Sequence, residues 1–287
     1  MSTIYRERLP MHPLLGRHVR HDPASRAYPV APTASTLTAV RHESHIAILD
    51  QGQLGSCTGN AGVGAVYREP YVTDTSAPNP WPTYTPDEGG AVALYSEATR
   101  LDSYAGTYPP TDTGSDGLSI AKALKAAGII SGYQHAFTLE SALLQLMTTP
   151  LITGISWYQS MFDVGPDGVL TVDRSSGLAG GHELAVDEYR PATADAPAMV
   201  GGPNSWGSAW GDAGRWYLTV ADWGSLLAEQ GDVTAFVPAT QPAPTPTDSD
   251  ATLWASVRHW AVDEHHMGDN KRAATATRTW AKAKGLA

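Results

Sequence analysis

Between residues 57 and 127 the apolar positions recur at helical spacing. Small residues run from Cys57 to Val66, and Ala91–Leu101 and Leu118–Ala127 each gather apolar side chains on one face, the latter closing at Gly128. Beyond residue 150 the pattern changes. Leu151–Trp157, Gly168–Val172, Glu183–Tyr189, Ala198–Gly201 and Arg215–Val220 are β-prone runs separated by Gly, Pro and Asp turn signals. Helices first and antiparallel strands second predict an α+β domain over 41–238. The segment 1–40 carries prolines at 10, 13, 23, 29 and 32 and reads as an irregular arm. From Pro238 onward, four prolines in nine residues predict a stiff linker over 239–250. Helical spacing then resumes at Leu253, Trp254, Val257 and Trp260, breaks at Met267–Asn270, and returns at Ala273, Ala276 and Trp280. That predicts a C-terminal helical hairpin over 251–287, too small to bury much surface alone and so a candidate for docking on an assembly partner.

Composition narrows the classes. The 287-residue chain has 19 basic and 29 acidic side chains, a net charge of −10, which argues against a general nucleic-acid binder. The charge divides as +3 over 1–40, −16 over 41–250 and +3 over 251–287. No run approaches eighteen apolar residues, so no membrane span is expected, and no signal peptide is visible at the start. A cytoplasmic or virion-associated protein is the expectation. One cysteine, Cys57, rules out an internal disulfide and a structural zinc site built on several thiolates. His265 and His266 read as a solvated helix end, so no metal is expected.

A single cysteine is usually a small buried hydrophobe. Its surroundings, Asp50-Gln-Gly-Gln-Leu-Gly-Ser-Cys57-Thr-Gly-Asn-Ala, form a glycine-bearing loop running into a small-residue helix. Cys57 at that helix N-terminus would meet unpaired amides and the positive end of the dipole, which lower a thiol pKa. A nucleophile needs a base, and among ten histidines His182 stands out in Ala179-Gly-Gly-His-Glu-Leu-Ala-Val-Asp, although a surface histidine at a strand start reads equally well. Downstream, Gly202-Pro-Asn204-Ser-Trp-Gly-Ser-Ala-Trp-Gly joins an asparagine to two Trp-Gly pairs. An asparagine carbonyl can accept an imidazole N–H and fix its tautomer, with an indole keeping water away.

In order and spacing the three segments resemble the papain-like cysteine peptidases, of bacterial or bacteriophage type, over roughly 41–238. The resemblance implies a two-lobed α+β fold, a helical lobe beside an antiparallel β lobe. It implies Cys57 as nucleophile, His182 as base, Asn204 as the group orienting it, and Gln51 with the Cys57 amide as oxyanion donors. Gly55, Ser56, Gly181, Glu183 and Trp206 would line the substrate cleft, with Trp206 shielding the His–Asn bond. The implied activity is hydrolysis of peptide or protein substrates through a thioester, with no cofactor. Thr58 replaces the family's usual tryptophan, and Leu54 replaces its usual cysteine. Glu183 replaces a small residue, with two places open to it: the pocket for the second residue on the acyl side of the cut, or solvent. The arm is much shorter than the family's inhibitory pro-domain, and reads as a short remnant or a surface wrap. Two alternatives stand beside the peptidase: an inactive papain-like structural or binding module of a larger assembly, and a hydrolase of peptidoglycan stem peptides.

Overall fold

The computed structural model describes residues 15–72 and 80–239. The beginning of the arm, the linker beyond Ala239 and the 251–287 hairpin lie outside the described residues. The chain runs β1 (Val40–Arg41), α1 (Cys57–Val66), α2 (Glu88–Leu101), α3 (Gly117–Ala126), β2 (Ile130–His135), α4 (Leu139–Leu146) and β3 (Leu151–Tyr158). It continues through β4 (Leu178–Val186), β5 (Glu188–Arg190), β6 (Met199–Pro203), β7 (Arg215–Thr219), α5 (Val220–Gln230) and β8 (Asp232–Pro238).

Local chemistry sets the helix starts. Asp87, Asp116 and Thr138 cap α2, α3 and α4, each side chain accepting a backbone N–H of the first turn. α1 has no side-chain cap, and all ten of its residues are buried. Its Gly, Ala and Val side chains let α2 and α3 pack close around it, with Leu94, Ile120 and Leu124 filling the helical core. The strands form two antiparallel sheets, ordered β1-β5-β6-β7 and β2-β8-β3-β4. Their core carries the fully buried indoles Trp157, Trp216 and Trp223. A helical lobe therefore packs beside a β lobe, as the chain pattern predicts.

The structure adds β2, α4, α5 and β8, which the sequence pattern does not announce, and it differs elsewhere too. Gly168–Val172 forms no strand, because only Val169 bridges to Tyr217. Glu183–Tyr189 is two strands rather than one: the chain leaves one sheet at Val186 and joins the other at Glu188. The arm is not separate from the domain beyond residue 14, since Leu15 and Val30 belong to the β-lobe core.

Asp187, at the crossing between sheets, is buried and accepts from Arg68 Nε at 2.7 Å and Arg215 Nη2 at 2.5 Å. Arg68 also donates to the Gly64 carbonyl in α1, and Arg215 reaches Glu188 at 2.8 Å. The cluster thus ties the C-terminal end of α1 to the strand crossing. Burial would raise the Asp187 carboxyl, but the two guanidiniums outweigh it and hold the group below its usual range. Its stabilisation is present above the unfolded carboxylate pKa and is lost as pH falls through the folded one. Asp187→Ala leaves the buried Arg68 guanidinium without its carboxylate and Arg215 with Glu188 alone, and should lower the unfolding free energy by about 3–5 kcal/mol, read by urea titration at pH 7. A loss below about 1 kcal/mol would show that the cluster does not hold the lobes.

Candidate active site

The loop before α1 is held from both sides. Gly55 N–H donates to Asp112 Oδ2 at 2.8 Å, and Gln51 N–H to the Ser205 carbonyl at 2.9 Å. Glu88 accepts from Asp50 N–H at 3.2 Å and from the Asn60 side chain at 3.1 Å, linking loop and helix. Ser56 is buried at the N-cap, and Cys57 is the first residue of α1, with 0% exposure. Backbone N–H groups of Glu183, Gly16 and Thr58 point at its sulfur.

His182 comes from β4, opposite Ile155 of β3, and is also 0% exposed. Its Nε2 lies 2.8 Å from Asn204 Oδ1, an oxygen that also accepts the Ser205 N–H at 2.8 Å. The second bond fixes which end of the amide faces the imidazole, so Nε2 carries the proton and Nδ1 is left as an acceptor. Nδ1 has no hydrogen-bond partner among the described residues, and the next residue along the strand presents its N–H to the Cys57 sulfur. Trp206 stacks on His182 with centroids 4.9 Å apart, and Trp157 meets the ring edge-on at the same distance. Gln51 is buried beside this group. One amide hydrogen donates to the Leu54 carbonyl at 2.7 Å, and its oxygen accepts from Ser205 Oγ.

Asn204 and Trp206 thus lie against His182, Gln51 joins Ser205 beside them, and the N–H of Glu183, next along β4, reaches the Cys57 sulfur. The sequence reading did not foresee what covers them. Residues 15–18 form a strap across the junction of the lobes. Gly16 accepts from Ser115 N–H at 2.8 Å and His18 donates to the Ser115 carbonyl at 2.7 Å, on the helical side. Arg17 N–H donates to the Gly181 carbonyl at 3.1 Å, on the β side. Gly16 turns its N–H to the sulfur, and a Cβ there would overlap the Gly55 carbonyl oxygen. Of the two places left open for Glu183, solvent is excluded: the side chain is 1% exposed and lies beneath the strap.

The cover also changes the electrostatics expected at a helix N-terminus. Burial pushes the Cys57 thiol up to about 12, outweighing the N–H groups aimed at it, and the Glu183 carboxyl adds to the rise. Burial likewise brings His182 down to about 4, with Asn204 opposing. Both groups are neutral at pH 7. The amides that would favour a thiolate are present, but burial outweighs them.

Among solved structures the chain is similar to xylellain, a cysteine protease from Xylella fastidiosa. The TM-score is 0.61 at 15% identity, over 79% of this chain and 97% of that one. It is also similar to digestive procathepsin L 3 of the Tenebrio molitor larval midgut, with a TM-score of 0.50 at 16% identity, over 79% and 76%. The fold is papain-like. The sequence matches no family model and no curated protein. At these identities the likeness speaks for the architecture, and the papain-like fold accounts for a helix N-terminus and a strand histidine meeting where two lobes join.

The strap makes a direct prediction about the thiol. Iodoacetamide at pH 8 should label Cys57 of the folded chain at least about a hundredfold more slowly than it labels the urea-unfolded chain. Gly16→Val, which forces the strap off Gly55, should label at least about tenfold faster than folded wild type. Equal rates for the two folded proteins would show that the strap does not shield the sulfur.

Proposed function

We propose that this chain is a thiol-dependent peptidase, held closed by its own residues 15–18. The observation that carries the reading is the His182–Asn204 pair. Its proton is fixed on Nε2, and Nδ1 is left without a partner among the described residues, one residue before the N–H that points at the Cys57 sulfur. A structural module has no need of an imidazole held in one tautomer with its basic nitrogen unsatisfied. That arrangement favours chemistry over the inactive-module alternative.

The strap must move or be cut before a substrate can enter. Water then reaches the site, the burial penalty on both charged forms falls, and the amides around the sulfur favour a thiolate beside an imidazolium. The thiolate attacks the carbonyl carbon of a peptide bond. The developing oxyanion is met by the Cys57 backbone N–H, which as a first-turn amide has no partner within the helix, and by the remaining amide hydrogen of Gln51. His182 gives its proton to the leaving amine as the C–N bond breaks, producing a thioester. A water, deprotonated by His182, attacks the thioester and restores the thiol. Asn204 holds the ring in line throughout, and Trp206 keeps water from the bond between them.

In the Gly16→Val background, Cys57→Ala and His182→Ala should each lower turnover of a fluorogenic peptide by at least about a thousandfold. Combining them should cost little more than either alone, because they act as a unit. Activity should be lost below the pKa of thiolate formation and again where His182 loses its proton, a bell-shaped profile with a plateau between. Full turnover by Cys57→Ala would sink the peptidase reading.

A further inference from the structure

Residues 51–55 carry the Gln51 side chain, and the bonds among residues 51–54 close back on the loop itself. Leu54 N–H donates to the Gln51 carbonyl at 3.2 Å, and Gln51 Nε2 donates to the Leu54 carbonyl at 2.7 Å. At its far end the loop is tied outward, from Gly55 N–H to Asp112 Oδ2 at 2.8 Å. The Leu54 carbonyl and the Gly55 N–H belong to one peptide unit, which is planar and resists twisting. Asp112 therefore grips one end of that plane, and the other end grips Gln51. With its oxygen on Ser205 Oγ and one hydrogen on Leu54, the Gln51 amide has a single hydrogen left to aim.

Asp112 is itself anchored. Its Oδ1 accepts from Tyr95 Oη at 2.5 Å, and the same hydroxyl accepts the Gly114 N–H at 2.9 Å. Tyr95 is fully buried on α2. A Cβ on Gly59 of α1 would come 2.9 Å from Tyr95 Cβ, so the tyrosine sits hard against the helix that Cys57 begins. Asp112 is an exposed residue, where a carboxylate ordinarily keeps its oxygens for water. Both of its oxygens nevertheless turn to protein donors, one of them 57 positions away in sequence. The chain has one cysteine, so no disulfide can hold the loop instead.

We propose that Asp112, anchored by Tyr95, is a positioning residue for the Gln51 oxyanion donor. The proposal rests on the peptidase reading, in which the remaining Gln51 hydrogen meets the charge that develops on the scissile carbonyl. Asp112 acts through two intervening groups, the Leu54–Gly55 peptide and the glutamine, and not on the substrate. Its carboxylate also draws on the Gly55 N–H, which polarises the peptide and makes the Leu54 carbonyl a stronger acceptor for Gln51. A misaimed donor is missed only when the oxyanion forms, so the loss falls on kcat and spares KM.

The test uses the full chain carrying Gly16→Val and a fluorogenic peptide. Asp112→Ala should lower kcat by about tenfold, with KM unchanged within about twofold. Asp112→Asn, whose amide oxygen can still accept the Gly55 N–H, should recover most of that loss. Gln51→Ala alone should cost at least about a hundredfold. Adding Asp112→Ala to it should cost less than about twofold more, because the group it acts through is gone. Alkylation of Cys57 by iodoacetamide forms no oxyanion, so its rate should be the same with and without Asp112. If Asp112→Ala does not fold, Tyr95→Phe removes the anchor and takes its place in the same cycle. A tenfold loss that persists in Gln51→Ala, or a parallel fall in alkylation, would show a merely structural role and overturn the proposal. A second measurement needs no turnover. In the closed chain, Asp112→Ala should move both side-chain amide proton resonances of Gln51 and leave the His182 ring resonances in place. Unmoved Gln51 resonances would also overturn the positioning role. No Cys57-dependent turnover by Gly16→Val, in folded protein whose Cys57 reacts with iodoacetamide, would overturn the peptidase reading itself. The resonances would then still decide whether Asp112 holds Gln51.

Discussion

The buried carboxylate of Asp187 fixes the relation between the two lobes. It sits where the chain crosses from one sheet to the other, and it is gripped by Arg68 just beyond α1 and by Arg215 of β7. Cys57 begins that helix, and His182 lies five residues before the crossing on β4. A rigid helix and a paired strand lead from one ionic node to the Cys57 sulfur and the His182 imidazole. Their placement is therefore set by elements with little freedom.

A second constraint works on the site from outside. The strap bonds to Ser115 on one lobe and Gly181 on the other, completing the junction as an extra short strand would. Its effect on the chemistry is electrostatic as much as steric. Burial of Cys57 and His182 favours the neutral form of each.

The helical lobe was legible because Cys57–Val66, Ala91–Leu101 and Leu118–Ala127 have strong periodicity and clear stops, and the structure places helices there within a few residues. Cys57, His182 and Asn204 were legible as short motifs whose residue types carry specific chemistry. What the sequence hid was long-range. Arg17 is an ordinary arginine in a proline-punctuated arm, and Gly154 an unremarked residue in an apolar strand. Asp232 begins a strand that no turn signal announced. Only the pairing of β3 with both β4 and β8 sets Gly154 and Asp232 in one row with Glu183. Glu183 was the single local hint, a charged residue where a small one was expected. Gly168–Val172 failed as a strand for the complementary reason: its β-prone residues have just one bridging partner, Tyr217. Propensity without a neighbour to pair with makes no ladder.

Burial of the lone sulfur has a further chemical consequence. Peroxide and mixed-disulfide exchange both attack through the thiolate and need access to it. A neutral thiol with no exposed surface offers neither. With residues 15–18 in place, the one sulfur is thus shielded from both reactions.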